Sequence, residues 1–171
     1  DPELDEQFEV IQYNQGATLG PHEAFLARRG AKTLLPRMRV HCENATAVAE
    51  HLAAHESVRH VSYPGLESHP NHAVAADQMD DFGGMVSVEL DATREETIAV
   101  LDALEVFQLA ESLGGVESLV EQPAVMTHQD LSPTELEAAG IAESLIRFSV
   151  GIEATEDLIA DLDTAIEAGC K

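Results

Sequence analysis

Residues 145–153 read LIRFSVGIE, an apolar segment that contains a single arginine. Side chains of a strand point alternately to the two faces of a sheet, so this alternation predicts a strand over residues 145–152. One face would carry Ile146, Phe148, Val150 and Ile152, and the other would carry Leu145, Arg147, Ser149 and Gly151. A helical pattern from Thr155 to Ala168 follows and is stopped by Gly169, which predicts a helix directly after the strand.

The same alternation of short strands and helices extends back to residue 58. Strands are predicted over residues 58–63, 84–90 and 107–110, and helices over residues 72–79, 93–103 and 132–140. Thr93 with Glu96 three residues later is a capping box, and Ser132 precedes a proline at the first helical position. Because strands and helices interleave, the sequence predicts an α+β domain in which helices pack over a small sheet.

The N-terminal part has a different pattern. Residues 1–11 carry apolar side chains at helical spacing, and a loop is predicted over residues 14–21. One long helical pattern then covers residues 22–55, with bends expected near Gly30 and Pro36. This helix has no equivalent in the strand-and-helix pattern, so we interpret it as a long connector helix that precedes the small sheet.

The charge of the chain excludes two classes of partner. Lysine and arginine total 9 against 32 aspartates and glutamates, which gives a formal net charge of −23. Such a field repels nucleic acid and anionic membranes, because both need a basic surface. No apolar run approaches the ~20 residues of a membrane helix. With no signal segment and only Cys42 and Cys170 as cysteines, we expect a cytoplasmic protein without a disulfide framework.

The distribution of the acidic residues carries a further expectation. They occur as isolated pairs on helix faces between apolar residues, which is typical of a solvated surface. An acid-rich, lysine-poor surface suits a protein that must stay hydrated in concentrated salt, where screening removes the repulsion between its charges. We therefore expect a halophilic source.

Arg147 is the first candidate binding residue. Its neighbours on the same strand face, Ser149 and Gly151, are small and leave room above the sheet. A guanidinium can hold a carboxylate through two parallel hydrogen bonds, in a geometry that lysine cannot match. From the spacing alone, a solvated arginine on an edge strand or a structural ion pair is the commoner explanation.

The Gly114-Gly115 pair and its neighbours form the second candidate. Two glycines can turn successive backbone N–H groups toward an anion, with a hydroxyl supplied by Ser112, although an ordinary tight turn is the commoner structure. Glu111, beside Ser112, is a candidate polar group of a pocket, but it is one acid among many.

The histidines are weaker candidates. His128 follows Thr127 and is a candidate acid or base near neutral pH, although such a histidine more often closes a turn. His51 and His55 lie one helical turn apart, but no third ligand of suitable spacing is evident, so the sequence predicts no metal site.

Three segments together resemble the C-terminal part of a known enzyme family. They are AESLGGVESL at residues 110–119, PAVMTH at residues 123–128 and LIRFSVGIE at residues 145–153. Their order and spacing resemble the Cys/Met metabolism family of pyridoxal phosphate (PLP) enzymes, and within it most closely the cystathionine γ-lyase and γ-synthase group. Further segments resemble the same family: RGAKTL at 29–34, YPGL at 63–66, FGGM at 82–85 and EDLIADLDTAI at 156–166.

The resemblance implies an aspartate-aminotransferase-like fold, fold type I, of which the chain would form the C-terminal domain. Residues 1–40 would be a remnant of the PLP-binding large domain with the connector helix, and residues 41–171 the substrate-side domain. In the family the Schiff-base lysine lies upstream of this segment; Lys32 matches a different position and Lys171 is the last residue. The resemblance therefore implies no catalytic and no cofactor-binding residue here, and a chain that is inactive alone.

The resemblance also implies roles for individual residues. Arg147 would bind the α-carboxylate of an amino-acid substrate with help from Ser112, while Glu111 and Thr127 would line the pocket. The complete enzyme would be a PLP-dependent homotetramer that acts in trans-sulfuration. It would catalyse γ-elimination or γ-replacement on a substrate of the cystathionine or homoserine-ester class. The alternative is a stand-alone, non-catalytic binding or assembly module derived from that domain.

Overall fold

The computed structural model describes residues 2–16 and 18–170 of the 171-residue chain. The chain divides into two compact units, Asp1–Leu35 and Pro36–Lys171. No helix in the described part of the chain is both long enough and apolar enough to cross a membrane.

The first unit contains helices α1 (Pro2–Gln15) and α2 (Pro21–Ala31). The helix predicted over residues 1–11 is present in its described part and extends four residues further, so the predicted loop begins later than expected. Large apolar side chains of these two helices are exposed, among them Phe8, Tyr13 and Phe25.

The helical pattern predicted over residues 22–55 is present, but it is divided between two helices, with the interruption close to the bend expected at Gly30. The first is α2, and the second is α3 (Leu34–Ala53). In the interruption the N–H of Thr33 donates to the carbonyl of Gly30 at 3.2 Å. Pro36 does not end a helix, since it lies in the first turn of α3, where a missing N–H breaks no helical hydrogen bond.

The second unit is the predicted α+β domain, a five-stranded sheet with helices packed on it. Its strands are β1 (Val58–Ser62), β2 (Met85–Leu90), β3 (Gln108–Leu109), β4 (Leu119–Glu121) and β5 (Leu145–Ser149). Besides α3, its helices are α4 (His72–Gln78), α5 (Arg94–Ala103), α6 (Pro133–Ala138) and α7 (Thr155–Gly169). Most of these bounds lie within two residues of the prediction, and the predicted capping box of Thr93 and Glu96 begins α5.

The sheet places β5 at its centre. The strand order is β1-β2-β5-β4-β3, and all neighbours are antiparallel except the parallel pair β3 and β4. Arg147 of β5 therefore has a partner on either side, Ser87 of β2 and Glu121 of β4. A central position brings the side chain of Arg147 within reach of segments from both halves of the sheet.

One face of β5 belongs to the hydrophobic core, as the alternation predicts. Ile146, Phe148 and Val150 are each at most 2% exposed, and the ring of Phe148 meets that of Phe107 edge-on at 5.1 Å. Helices α3, α5 and α7 supply the apolar side chains that pack with this face. Burial of each large aliphatic or aromatic side chain contributes about 1.5–3 kcal/mol, so this core fixes which face of β5 carries Arg147.

The end of β5 corrects the sequence prediction. The strand stops at Ser149, and Ile152, expected on the apolar face, is 38% exposed. The backbone leaves the ladder because the N–H of Gly151 donates to the hydroxyl of Ser118 at 2.8 Å. A glycine is required at position 151, where the chain leaves the strand, since a Cβ there would collide with the carbonyl oxygen of Val116.

Candidate functional site

The sheet face opposite the core carries an ion pair between neighbouring strands. Arg147 and Glu121 lie directly opposite each other in the antiparallel pair of β5 and β4. The Nη1 atom of Arg147 is 2.8 Å from Oε1 of Glu121. The Glu121 side chain is 1% exposed, whereas that of Arg147 is 24% exposed, so the pair has one buried member and one that reaches the surface.

The second terminal nitrogen of Arg147 faces the loop between β3 and β4. Nη2 donates to the backbone carbonyl of Glu111 at 2.9 Å and to that of Ser112 at 3.4 Å. Two predicted site residues thus contact Arg147 through their backbones, while the residues themselves are exposed. The guanidinium is held by acceptors from a strand and from a loop, which limits its rotation.

The loop itself is tied to the end of β5. The N–H of Gly114 donates to the hydroxyl of Ser149 at 2.9 Å, and the φ angle of Gly114 is +78°. A positive φ favours glycine, because a Cβ is strained there. The N–H of Gly114 is therefore engaged within the protein, and the predicted anion-binding role for this glycine gives way to the tight turn that was the alternative.

Thr127 joins the same cluster from the turn after β4. Its hydroxyl lies 3.4 Å from Oε1 of Glu121 and 2.9 Å from Nδ1 of His128. The N–H of His128 also donates to the carbonyl of Pro123 at 2.8 Å, which closes the turn in the manner expected of such a histidine. The turn thus places Thr127 on the carboxylate that holds Arg147.

All four residues predicted to form the site meet around this ion pair. Glu121 lies at the centre of the cluster and is not among the residues that the sequence predicts for the site. Its signal was weak, because β4 is three residues long and all three are buried, so no alternation marks the strand. The available signal is a glutamate that directly follows apolar Val120 and precedes the turn. The segment is too short for this glutamate to belong to the polar face of a helix.

A small cavity of about 160 Å³ lies beside the Gly114 turn, lined by Met38, His41, Gly84, Met85, Leu113, Gly114, Ser149 and Val150. At its edge Nδ1 of His41 is 2.6 Å from the carbonyl oxygen of Val150. A larger hollow of about 350 Å³ lies at α6 and includes none of the predicted site residues in its lining. We place the candidate site at Arg147 rather than in the larger hollow, because the charged and polar side chains converge there.

Other reactive side chains do not add a second centre. Burial raises the pKa of the Cys42 thiol, which keeps it protonated and weakly nucleophilic. His51 pairs with Asp163 through Nε2 at 2.6 Å. Within the described residues no group of three or more histidine, cysteine, aspartate or glutamate side chains is arranged to hold a metal ion.

Comparison with known proteins gives the family of the chain. The family model described as "Cys/Met metabolism PLP-dependent enzyme" matches residues 1–167. The chain belongs to this family. Its curated relatives in the family include a cystathionine gamma-synthase of Mycobacterium bovis, 52% identical over 166 residues, and a cystathionine beta-lyase of Coxiella burnetii, 50% identical over 163 residues. These matches cover 97% and 95% of the chain but only 42% of each relative.

Solved structures of the Cys/Met metabolism family share the fold. A cystathionine gamma synthase from Xanthomonas oryzae pv. oryzae, crystallised in complex with cystathionine, superposes with a TM-score of 0.92 at 47% identity. A cystathionine gamma-lyase from Lactobacillus plantarum, complexed with L-serine, superposes with the same TM-score at 40% identity. Each match covers 99% of this chain and 44% of the other chain. The chain thus has the fold of part of a PLP-dependent enzyme.

The family depends on PLP, but the described residues do not by themselves fit that cofactor. Lys32 is the one lysine among them, and it is exposed at the end of α2. Desolvation in a hydrophobic pocket is one way in which a Schiff-base lysine is activated, and the exposed side chain of Lys32 lacks it. At Arg147 both terminal nitrogens have acceptors within the chain, Nη1 at Glu121 and Nη2 at the two loop carbonyls; guanidinium groups in general also bind carboxylates.

Proposed function

We propose that this chain is the substrate-side part of a PLP-dependent carbon-sulfur lyase or transferase of trans-sulfuration. In this proposal Arg147 binds the α-carboxylate of an amino-acid substrate of the cystathionine or homoserine-ester class. The observation that carries it is the cluster around Arg147, in which the backbone carbonyls of Glu111 and Ser112 contact the guanidinium and Thr127 contacts its ion-pair partner Glu121. The names of the relatives, gamma-synthases, beta-lyases and gamma-lyases of cystathionine, support the substrate class.

The electrostatics of the chain favour an arginine in this role. A net charge of −23 gives a negative potential that opposes the approach of the substrate's α-carboxylate, and the guanidinium supplies a local attraction that offsets it. Because Arg147 is fixed by Glu121 and by two backbone carbonyls, little side-chain entropy is lost when a carboxylate binds. Ser112 and Thr127 are exposed residues of the same cluster, and in this proposal their hydroxyl groups help to orient the substrate.

In this family the cofactor supplies an electron sink for the carbanion at the substrate α carbon. The contribution of this chain is to bind and orient the substrate, so that the bond to be broken faces the cofactor. We propose that the Schiff-base lysine is not part of these 171 residues, and that they are inactive alone.

The test compares two arginine-to-lysine substitutions in the longest protein that the gene encodes, loaded with PLP. Arg147→Lys loses the fork that matches a carboxylate, and kcat/KM for cystathionine should fall about 10- to 150-fold, the scale of one charged hydrogen bond of ~1.5–3 kcal/mol. The matched control is Arg59→Lys on β1, since Arg59 is exposed and pairs with Glu89 and Asp91. An Arg147→Lys enzyme with the kcat/KM of the control would defeat the carboxylate assignment.

The stand-alone module remains the second candidate, and exposed apolar side chains such as Phe8 and Phe25 favour it. The two candidates differ in the purified 171-residue chain. Neither should retain PLP after dialysis, and only the module should form a defined complex with an intact homologue. Stoichiometric retention of PLP by the isolated chain would contradict the proposed absence of the Schiff-base lysine.

We further propose that the complete protein is a cytoplasmic homotetramer from a halophilic source. The family resemblance supports the tetramer, and the charge of −23 supports the saline setting. Light scattering of the complete protein in high salt measures the assembly, and a monomer there would contradict the tetramer.

A further inference from the structure

Two acidic side chains of the described residues are buried, and they are used differently. Asp161 accepts three backbone N–H groups, so both of its oxygens are engaged. Glu121 is more deeply buried, yet among the described residues neither its Oε2 atom nor the Nε atom of Arg147 has a hydrogen-bond partner. A buried carboxylate with one unpaired oxygen costs stability rather than adding to it. Stability therefore does not explain why a glutamate occupies this position.

The position of Glu121 offers a different explanation. Because it faces Arg147 across the β4–β5 ladder, its Oε1 atom holds Nη1 while the two loop carbonyls hold Nη2. Without Glu121 the guanidinium would keep only the carbonyl contacts on one nitrogen and could turn about its Cδ–Nε bond. Because Glu121 is buried, its side chain is held more rigidly than that of a surface acid. It is therefore suited to restrict the rotation of the Arg147 guanidinium.

We propose that Glu121 is a positioning residue, whose buried carboxylate accepts from Nη1 of Arg147 and so fixes the guanidinium in the orientation that captures the substrate carboxylate. This inference rests on the proposed function of Arg147. What matters at residue 121 is an acceptor at the correct distance, and not the negative charge, since that charge opposes a second carboxylate at the same arginine. Thr127 supports the acceptor through its hydroxyl.

The consequence is that carboxylate recognition and stability should respond differently to changes at residue 121. Glu121→Gln keeps an acceptor oxygen at the same reach and removes the charge. Glu121→Met keeps the volume, removes the acceptor and relieves the unpaired buried oxygen; Arg147, partly exposed, can then turn toward solvent. Glu121→Asp keeps the charge but withdraws the carboxylate by one methylene.

The experiment uses the longest protein that the gene encodes, loaded with PLP, and two competitive inhibitors, L-2-aminobutyrate and L-2-aminobutyramide. The inhibition constant of the amide divided by that of the carboxylate measures recognition of the carboxylate independently of the rest of the ligand. A lower ratio means weaker recognition of the carboxylate. Unfolding temperature is recorded for each variant. The control is Glu89→Gln, which removes the charge of another strand glutamate that pairs with an arginine, Arg59, on the exposed side of the sheet.

We expect the ratio to fall about 10-fold in Glu121→Met, the scale of a lost charged hydrogen bond, and to stay within about 3-fold of the parent in Glu121→Gln. An unchanged ratio in Glu121→Met would overturn the inference, and so would an equal fall in Glu121→Gln. If Glu121→Met does not fold, Glu121→Asp decides: a ratio lowered about 3-fold or more supports positioning, and the parent ratio overturns it. Arg147→Lys separates the two proposals, because an unchanged ratio in that variant would sink the role of Arg147 itself.

Discussion

Asp161 is expected to be the most sensitive single acidic position for stability. Its carboxylate in α7 accepts from the N–H groups of Glu105 at 2.8 Å, Val106 at 3.0 Å and Phe107 at 3.1 Å. These three residues connect α5 to β3, and Phe107 is 2% exposed in the core. The carboxylate therefore holds a loop whose three N–H donors have no helical or ladder partner in the described part of the chain, and whose last residue is buried.

The magnitude follows from what each substitution leaves unpaired. Asp161→Ala strands three donors; a buried unpaired N–H costs about 1–3 kcal/mol, and because water reaches the exposed end at Glu105 we expect a total of about 3–4 kcal/mol. Asp161→Asn can keep the two bonds that Oδ2 accepts, from Val106 and Phe107, but its NH₂ group then faces the N–H of Glu105. We expect a loss of about 2 kcal/mol for that variant.

Urea unfolding followed by circular dichroism, at one salt concentration and neutral pH, measures these losses. The control is Asp163→Ala in the same helix, where the side chain is 45% exposed and pairs only with a histidine at 2.6 Å, so that about 0–1 kcal/mol is at stake. A larger loss in Asp161→Asn than in Asp161→Ala would refute the role assigned to the Asp161 carboxylate.

Two further predictions concern pH and salt. Hydrogen bonds from the backbone N–H and the hydroxyl of Thr93 lower the pKa of Glu96, so the stabilisation from this carboxylate is present above the unfolded-state pKa and is lost as pH falls through the lower folded-state pKa. We therefore expect Glu96→Gln to lose less stability than the parent between about pH 5 and pH 3, as measured by urea midpoints, and parallel losses in both proteins would contradict this. Raising KCl from about 0.1 M to about 1 M shortens the screening length from ~10 Å to ~3 Å, so the unfolding temperature should rise; a fall or no change would count against the halophilic proposal.

The elements that the sequence predicts well are those whose side chains alternate or are capped locally. Strand β5 has a clear period of two because one face meets the core, and α5 begins where Thr93 and Glu96 form their capping box. Such signals depend on residues a few positions apart. Propensity and pattern therefore locate these elements without knowledge of the tertiary structure.

The features that the sequence does not predict depend on contacts distant along the chain. The end of β5 is set by the bond from Gly151 to Ser118, which lies 33 residues earlier, so the apolar Ile152 gives a false continuation. The break after α2 lies close to Gly30, where the sequence predicts a bend but does not show that the helix is fully interrupted. Strand β4 is not predicted, because all its side chains are buried and show no alternation. The position of Glu121 is therefore not predicted either.

The two explanations offered by the sequence for Arg147, a structural ion pair and a carboxylate-binding residue, are compatible once the sheet is known. A central strand gives its residues ladder neighbours on both sides, so Arg147 can meet an acid on β4 and still reach the loop that carries Glu111 and Ser112. An arginine on an edge strand would lack one of these neighbours and would have to be ordered by solvent-exposed partners. Buried Glu121 orders the guanidinium, while the 24% of the Arg147 side chain that is exposed leaves it accessible from solvent. Under the proposed function, the ion pair would keep the guanidinium oriented for a carboxylate, so that it is not evidence against that role.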